Sequence, residues 1–306
     1  MNETPIDRQQ AFEGTIEVAE ALRFDEARLC AFLEKEVPGF RGPLTARQFK
    51  GGQSNPTYQI NAASGKYVLR RKPPGKLLPS AHAVDREYRV ITALGNAGFP
   101  VPRTHILCDD DTVIGTMFYL MDLVEGRIIW EPHIPGLDKR DRSAVFADLN
   151  KTIARLHSFD PDELGLADFG KPANYVARQV ARWSKQYRAS QTEDLDTMDK
   201  LIEWLPDHLP EEGPATLIHG DYRLDNTILD PTESKVIAVL DWELSTLGDP
   251  LADFTYHLMQ WELPSSKTGS GVGSLKGHDL DVLGIPSRDA YVEMYCRNTG
   301  RTQIPD

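Results

Sequence analysis

Cysteine is scarce in this sequence. Cys30, Cys108 and Cys296 are the only three in 306 residues, far apart and without a CxxC pair. An odd, scattered set argues against a disulfide framework and against the paired spacing of a structural zinc site, and reads as plain thiols. Long hydrophobic runs are also missing. No apolar stretch approaches the roughly 18 residues that a membrane span needs. The opening MNETPIDRQQAFEG has neither the basic nor the apolar region of a secretory signal. The expectation is a cytoplasmic protein with no membrane partner. Positive charge is in deficit: 34 Lys and Arg against 46 Asp and Glu leave a net charge of −12. Nonspecific nucleic-acid binding depends on Lys and Arg facing phosphates, so nucleic acid is not an expected partner, although a local basic site is still allowed. No internal repeat is visible.

What is present is ordinary for a globular chain: 40% hydrophobic and 26% charged residues. The length suits one large domain or two modest ones with a substantial core. RFDEARLCAFLEKEVPGF reads as a helix with Asp25 as N-cap and Pro38–Gly39 as its stop. Three short strands follow, around 46–50, at 57–62 and at 66–71, separated by the turn sequences GGQSNP and ASG. AHAVDREYRVITALGNAG is an amphipathic helix, with Val84, Tyr88, Ile91 and Leu94 at 3-to-4 spacing. RTHILCDDDTVIGTMFYLMDLVEG reads as a β-hairpin whose Asp109–Asp111 form a solvated acidic turn rather than a metal site. Beyond Gly126 the pattern turns helical, at 141–159, 174–190 and 193–205, with short strands near 217–240, a helix after Pro250 and a last helix at about 287–298. PSSKTGSGVGSLKG at 264–277 reads as a flexible loop; no strand precedes it and GK[ST] is absent, so it is not a phosphate loop. The order predicts two lobes: 1–122, β-rich with one flanking helix, and 123–306, mainly helical, with a hinge near 121–126 and a cleft between them.

The chemistry concentrates in LIHGDYRLDNTILD, 217–230, and VIAVLDWELSTLGDPLADF, 236–254. Asp221 and Asn226 lie five apart in a loop between two apolar strands, and Asp241 ends a third. One Asp at a strand end is usually a turn former. Together, a loop carboxylate, a loop amide and a second carboxylate suit Mg²⁺, which takes oxygen ligands and keeps several waters. A carboxylate left off the metal can take a proton from a hydroxyl. Phosphoryl transfer needs a base, metal ligands and little covalent work by the protein. His219 reads as an organiser of its loop.

At these residues the sequence resembles the aminoglycoside phosphotransferase and choline kinase family, distant relatives of protein kinases. HGDYRLDN at 219–226 resembles the catalytic loop HGDxxxxN, LDWE at 240–243 the metal-binding motif, and GDPLADF at 248–254 the helix start that follows. The likeness covers nearly the whole chain and is strongest to the kinase-like domains associated with acyl-CoA dehydrogenases. It implies an α+β, two-lobed protein-kinase-like fold with a five-stranded antiparallel N-terminal sheet plus a helix. It further implies ATP and Mg²⁺ as cofactors, Asp221 as catalytic base, and Asn226 and Asp241 as metal ligands. FKGGQSNPTY takes the phosphate-loop position but departs from GxGxxG, with Gly51, Gly52, Ser54 and Asn55 as candidate contacts. YVLRR occupies the strand that usually carries a phosphate-binding Lys. There Val68 faces the adenine and Arg70 the phosphates, with Lys72 on the same parity. Glu87 matches the helix acid that pairs with this cation, and Met121–Leu123 the hinge beside adenine. Asp249 and Asp253 are expected to buttress the catalytic loop.

The expected function is ATP-dependent phosphorylation of a small-molecule hydroxyl, with a hydroxyacyl metabolite favoured by the nearest branch and by the basic RRKPPGK at 70–76. An aminoglycoside or choline-type kinase is the alternative within the family. A non-catalytic nucleotide-binding pseudokinase and a metal-dependent phosphohydrolase are the alternatives outside it. Relatives usually continue beyond RNTGRTQIPD through further helices of the substrate pocket, so a truncated C-terminus is part of the expectation.

Overall fold

The computed structural model describes residues 13–50, 55–75, 82–264 and 273–304. Helix α1 (Glu26–Glu36) begins where the Asp25 side chain accepts the Arg28 amide at 2.9 Å. Its buried Leu29 and Leu33 face a sheet formed by β1 (Thr15–Ile16), β2 (Leu44–Phe49), β3 (Thr57–Ala62), β4 (Gly65–Arg71), β5 (Thr104–Cys108) and β6 (Phe118–Asp122). The sheet is antiparallel throughout, in the order β1-β2-β3-β4-β6-β5. It has six strands among the described residues, one more than expected, because the two-residue β1 adds an edge too short to leave a sequence pattern.

Strand parity divides the core. Tyr58, Ile60, Leu69 and Leu120 point to the α1 side. Val68, Tyr119 and Met121 point the other way, into a core shared with α2 (Val84–Asn96) and with the rest of the chain. In β4 and β6, Val68 pairs with Met121 and Arg70 with Tyr119. Val84, Val90, Ile91 and Leu94 bury the inner face of α2, and Glu87 is buried among them at 1% exposure. The acidic stretch between β5 and β6 is not a plain turn. It holds a single helical turn, α3 (Asp111–Ile114), because Asp110 caps the Thr112 amide and Gly115 closes it at φ 87°.

After β6 the chain becomes mainly helical: α4 (Lys139–Leu156), α5 (Tyr175–Ser190), α6 (Asp196–Trp204), α7 (Pro250–Glu262), α8 (Leu280–Leu283) and α9 (Arg288–Thr299). Asn150 of α4 donates to the Tyr291 carbonyl of α9 at 2.9 Å, tying the two helices inside the core. Two small antiparallel ribbons sit in this region. One pairs β7 (Thr216–Ile218) with β10 (Thr246–Gly248), and the other pairs β8 (Thr227–Leu229) with β9 (Val236–Val239). The sequence showed no sign of β10, only three residues long. Its pairing with β7 sets the loop 219–226 beside the loop 240–245. Of the flexible loop read at 264–277, residues 265–272 lie outside the described residues, while Ser274 and Leu275 are buried. No helix among the described residues is long and apolar enough to cross a membrane, and all three cysteines are free thiols.

Candidate functional site

Both strand-end loops are held by His219 and Asp253. The Asp221 amide donates to His219 Nδ1 at 3.1 Å, so Nε2 carries the ring proton and donates to the Leu240 carbonyl at 2.8 Å. The Leu240 amide returns a bond to the Asn226 carbonyl at 2.8 Å. His219 is therefore a clip between the two loops, and Trp242 packs on its ring at 4.6 Å. Asp253 of α7 accepts the amides of His219 and Gly220, each at 2.8 Å, and also binds His157 Nε2 at 3.1 Å. Burial alone would raise the Asp253 carboxyl, but the bond from His157 and the nearby histidines hold it low. Gly220 takes φ +84°, and a Cβ there would stand 2.8 Å from the Leu244 carbonyl oxygen, so only glycine fits. Asp249 caps α7 through the Leu251 amide at 2.7 Å.

Within this frame Asn226 Nδ2 donates to Asp221 twice, to its backbone oxygen at 2.8 Å and to Oδ2 at 3.0 Å. The Asn226 amide oxygen is thereby turned away from Asp221. Asp241 follows β9 in a left-handed conformation, φ 65°, unusual for a non-glycine residue. Its Oδ1 lies 2.8 Å from Arg70 Nη2.

Arg70 crosses from β4 to this loop. Its Nε is 2.9 Å from Glu87 Oε2, and its Nη2 is 3.4 Å from Glu243 Oε2. Glu87 also accepts Asn55 Nδ2 at 2.9 Å and the Tyr119 hydroxyl at 3.0 Å. Burial pushes the Glu87 carboxyl up to about 7 against the pull of Arg70. Burial would lower Arg70, but Glu87, Tyr119 and Asp241 hold it above its ordinary value. Lys72, of the same strand parity, reaches Asp85 instead, at 3.7 Å.

The structure thus joins Arg70, Glu87 and Asp241 in one cluster, and Asp221 with Asn226 in the adjoining loop. Gly51, Gly52 and Ser54 lie outside the described residues. Asn55 is fully buried, with its side chain on Glu87 and on His82 Nδ1 at 2.9 Å. Val68 and Met121 are buried partners in the sheet, and Leu123 lies just past the end of β6, its amide 3.4 Å from the Lys66 carbonyl. The stretch at 70–76 is not one basic patch. Arg71 points to the opposite face, buried, bonded to the Tyr58 hydroxyl at 3.1 Å and to the Leu22 carbonyl at 2.8 Å.

Sequence reading missed Glu243, Tyr119, Arg223 and Tyr256. Glu243 and Arg223 stand inside the two motifs, legible there only as charges; the tyrosines carried no signal. Arg223 and Tyr256 line a pocket beside Asp221 with Trp130, Pro132, Leu224 and Met259. Burial and the charge of Asp221 push the Tyr256 hydroxyl up to about 12.

A cation shared by a sheet and a loop carboxylate, beside a second carboxylate and amide, is an arrangement suited to phosphoryl transfer. Comparison with known proteins agrees. Residues 45–302 match the model of the phosphotransferase enzyme family, APH. Acyl-CoA dehydrogenase family member 10 of Mus musculus is 48% identical over 273 residues, 88% of this chain. The chain spans only 25% of that relative's length. A solved putative aminoglycoside phosphotransferase from Ralstonia eutropha is 44% identical with a TM-score of 0.83, covering 92% of this chain and 82% of that one. The streptomycin–ATP complex of APH(2")-IIa shares the fold at a TM-score of 0.58 and 16% identity, over 91% of this chain and 83% of that one. The fold is kinase-like, with an N-terminal antiparallel sheet, and the chain belongs to the APH phosphotransferase enzyme family.

Proposed function

We propose that this chain moves the γ-phosphate of ATP to a hydroxyl of a small molecule in the cleft between lobes 1–122 and 123–306. The observation that carries the reading is Arg70, which binds Glu87 and Asp241 at once and so ties the sheet to the loop beside Asp221. Asp221 accepts the proton of the attacking hydroxyl. Arg70 meets the phosphates as a fork-shaped donor, oriented by Glu87. Val68 and the segment Met121–Leu123 frame the adenine.

The residues fit Mg²⁺. Asn226 turns its amide nitrogen to Asp221, which frees the oxygen, and Asp241 has one carboxylate oxygen beyond the one facing Arg70. These are hard oxygen donors, few in number, as Mg²⁺ bound largely by phosphates and water requires. When bound, the ion neutralises phosphate charge. The ATP named with the similar streptomycin complex supports the nucleotide.

A hydroxyacyl acceptor is favoured over an antibiotic or choline. The pocket next to the Asp221 loop offers Trp130, Pro132, Leu224, Tyr256 and Met259, and among the described residues lining it the one carboxylate is Asp225. A polycation needs several converging acids. The kinship with acyl-CoA dehydrogenase family proteins points the same way. A coupled ADP-release assay with and without Mg²⁺, across kanamycin, choline, homoserine and hydroxyacyl-CoA panels, tests this. Turnover confined to kanamycin reverses the acceptor; Mg²⁺-independent phosphate release without transfer supports a hydrolase instead.

A further inference from the structure

Asp221 is gripped by a residue of its own loop. Arg223 Nε lies 2.9 Å from Asp221 Oδ1, and Arg223 Nη2 lies 3.2 Å from Oδ2. The third nitrogen of the same guanidinium, Nη1, is 3.4 Å from Asp225 Oδ2. The group is mostly buried, with side-chain exposures of 25% for Arg223, 17% for Asp221 and 9% for Asp225. A planar fork fixed on both edges cannot rotate freely, so Asp225 sets the plane of Arg223, and Arg223 sets the plane of Asp221.

The two oxygens of Asp221 are not equivalent. Oδ2 accepts from both Asn226 Nδ2 and Arg223 Nη2. Oδ1 is buried against Arg223 Nε, and the Asp221 carboxyl also takes a bond from the Tyr256 hydroxyl. A carboxylate oxygen can accept about two hydrogen bonds. Oδ2 is therefore filled from within its own loop. Arg223 and Asp225, which hold the carboxylate, line one pocket together with Tyr256.

Resting on the kinase reading above, we infer that Arg223, anchored by Asp225, is a positioning residue that holds the Asp221 carboxylate in the orientation in which it receives the acceptor's proton. Arg223 acts through Asp221 and contributes by alignment. Misplacing a reacting group by about 1 Å costs on the order of 100-fold in rate.

The test compares Arg223→Met, Arg223→Lys and Asp225→Asn with the wild type. Mg·ATP affinity is read by titration, and kcat and acceptor KM by ADP release with hydroxybutyryl-CoA as acceptor, or with water where that probe is not turned over. Arg223→Met is expected to keep Mg·ATP affinity within about twofold and acceptor KM nearly unchanged, while kcat falls on the order of 100-fold. Arg223→Lys restores part of kcat because a cation returns without the fork, and Asp225→Asn gives a smaller loss of the same kind. Unchanged Mg·ATP affinity also shows that each variant is folded. If the wild type binds Mg·ATP and turns over but Arg223→Met keeps its kcat, or loses only acceptor KM, the positioning role is overturned and the kinase reading stands. If the wild type binds no Mg·ATP, or binds it without any turnover, the kinase reading and this inference fall together.

Discussion

Arg70 Nη2 sits 2.8 Å from Asp241 Oδ1, so a side chain of the N-terminal sheet ends on the loop that follows β9. The same guanidinium faces Glu87, whose side chain is 1% exposed. Arg70→Ala leaves that carboxylate buried with only Asn55 and Tyr119. Breaking a buried pair from one side costs roughly 3 kcal/mol or more. Lys72→Ala removes only a half-exposed contact with Asp85 and is expected to cost less than about 1 kcal/mol. Urea denaturation separates the two, and nucleotide titration should show the greater weakening for Arg70→Ala. An equal or larger effect of Lys72→Ala in both measurements would move the phosphate-binding position by one strand repeat.

Asp221 and Asp241 should fail differently. Asp221→Asn removes the acceptor for the hydroxyl proton but keeps an amide in the loop. Turnover is expected to fall by about 10²–10⁴-fold while Mg·ATP binding persists. Asp241→Ala is expected to weaken nucleotide binding chiefly when Mg²⁺ is present. Titrations with Mg²⁺ and with EDTA, alongside ADP release, check both. Wild-type turnover in either variant refutes its assigned role.

Much of this site was legible because polar residues interrupt apolar strands at fixed places. Asp221, Asn226 and Asp241 each sit beside the end of a short hydrophobic run, and the family resemblance together with strand parity pointed to Arg70 on the inner face of β4. The same parity sends Arg71 to the opposite core, where it binds Tyr58, yet the run RRKPPGK reads as one basic patch. Adjacent charges in a strand never share a face. The elements missed include β1, α3, α8 and β10, of two, four, four and three residues. Periodicity needs more residues than these have. The grip of Asp253 on the His219 and Gly220 amides spans more than 30 residues of sequence, and no local pattern records such a contact.

His257 makes stability depend on acid. It is buried on α7, with Nδ1 donating to the Tyr222 carbonyl at 3.1 Å and Nε2 facing the Tyr291 hydroxyl at 3.0 Å. This is the neutral ring. Burial lowers its pKa to about 4, against roughly 6.5 in an unfolded chain. The unfolded state therefore binds the proton first. The contribution is fully present above about pH 6.5 and is lost as pH falls towards 4, by roughly 3 kcal/mol in total. Urea midpoints at pH 7.5 and 4.5 should differ less in His257→Gln than in the wild type. An unchanged difference would assign the acid sensitivity to other groups.

Asp253 offers the sharpest separation of loop architecture from chemistry. Its two oxygens take two backbone amides and His157, all in the buried interior. Asparagine has the same shape but only one accepting oxygen, so Asp253→Asn sets an amide N–H against another donor. Leaving a buried donor unsatisfied costs about 1–3 kcal/mol. Asp253→Asn is expected to lose at least that much stability. Because the loop carrying Asp221 hangs from those amides, turnover should fall as well, even at temperatures where the variant is fully folded. Asp249→Ala is the control. It removes one cap bond, to Leu251, four residues before the loop anchor Asp253. Loss of an N-cap costs about 1 kcal/mol and leaves the loop suspended as before. Thermal melts and ADP release on both variants give the answer. If Asp249→Ala lowers turnover as much as Asp253→Asn, the catalytic loop is held by the helix as a whole rather than by the Asp253 carboxylate.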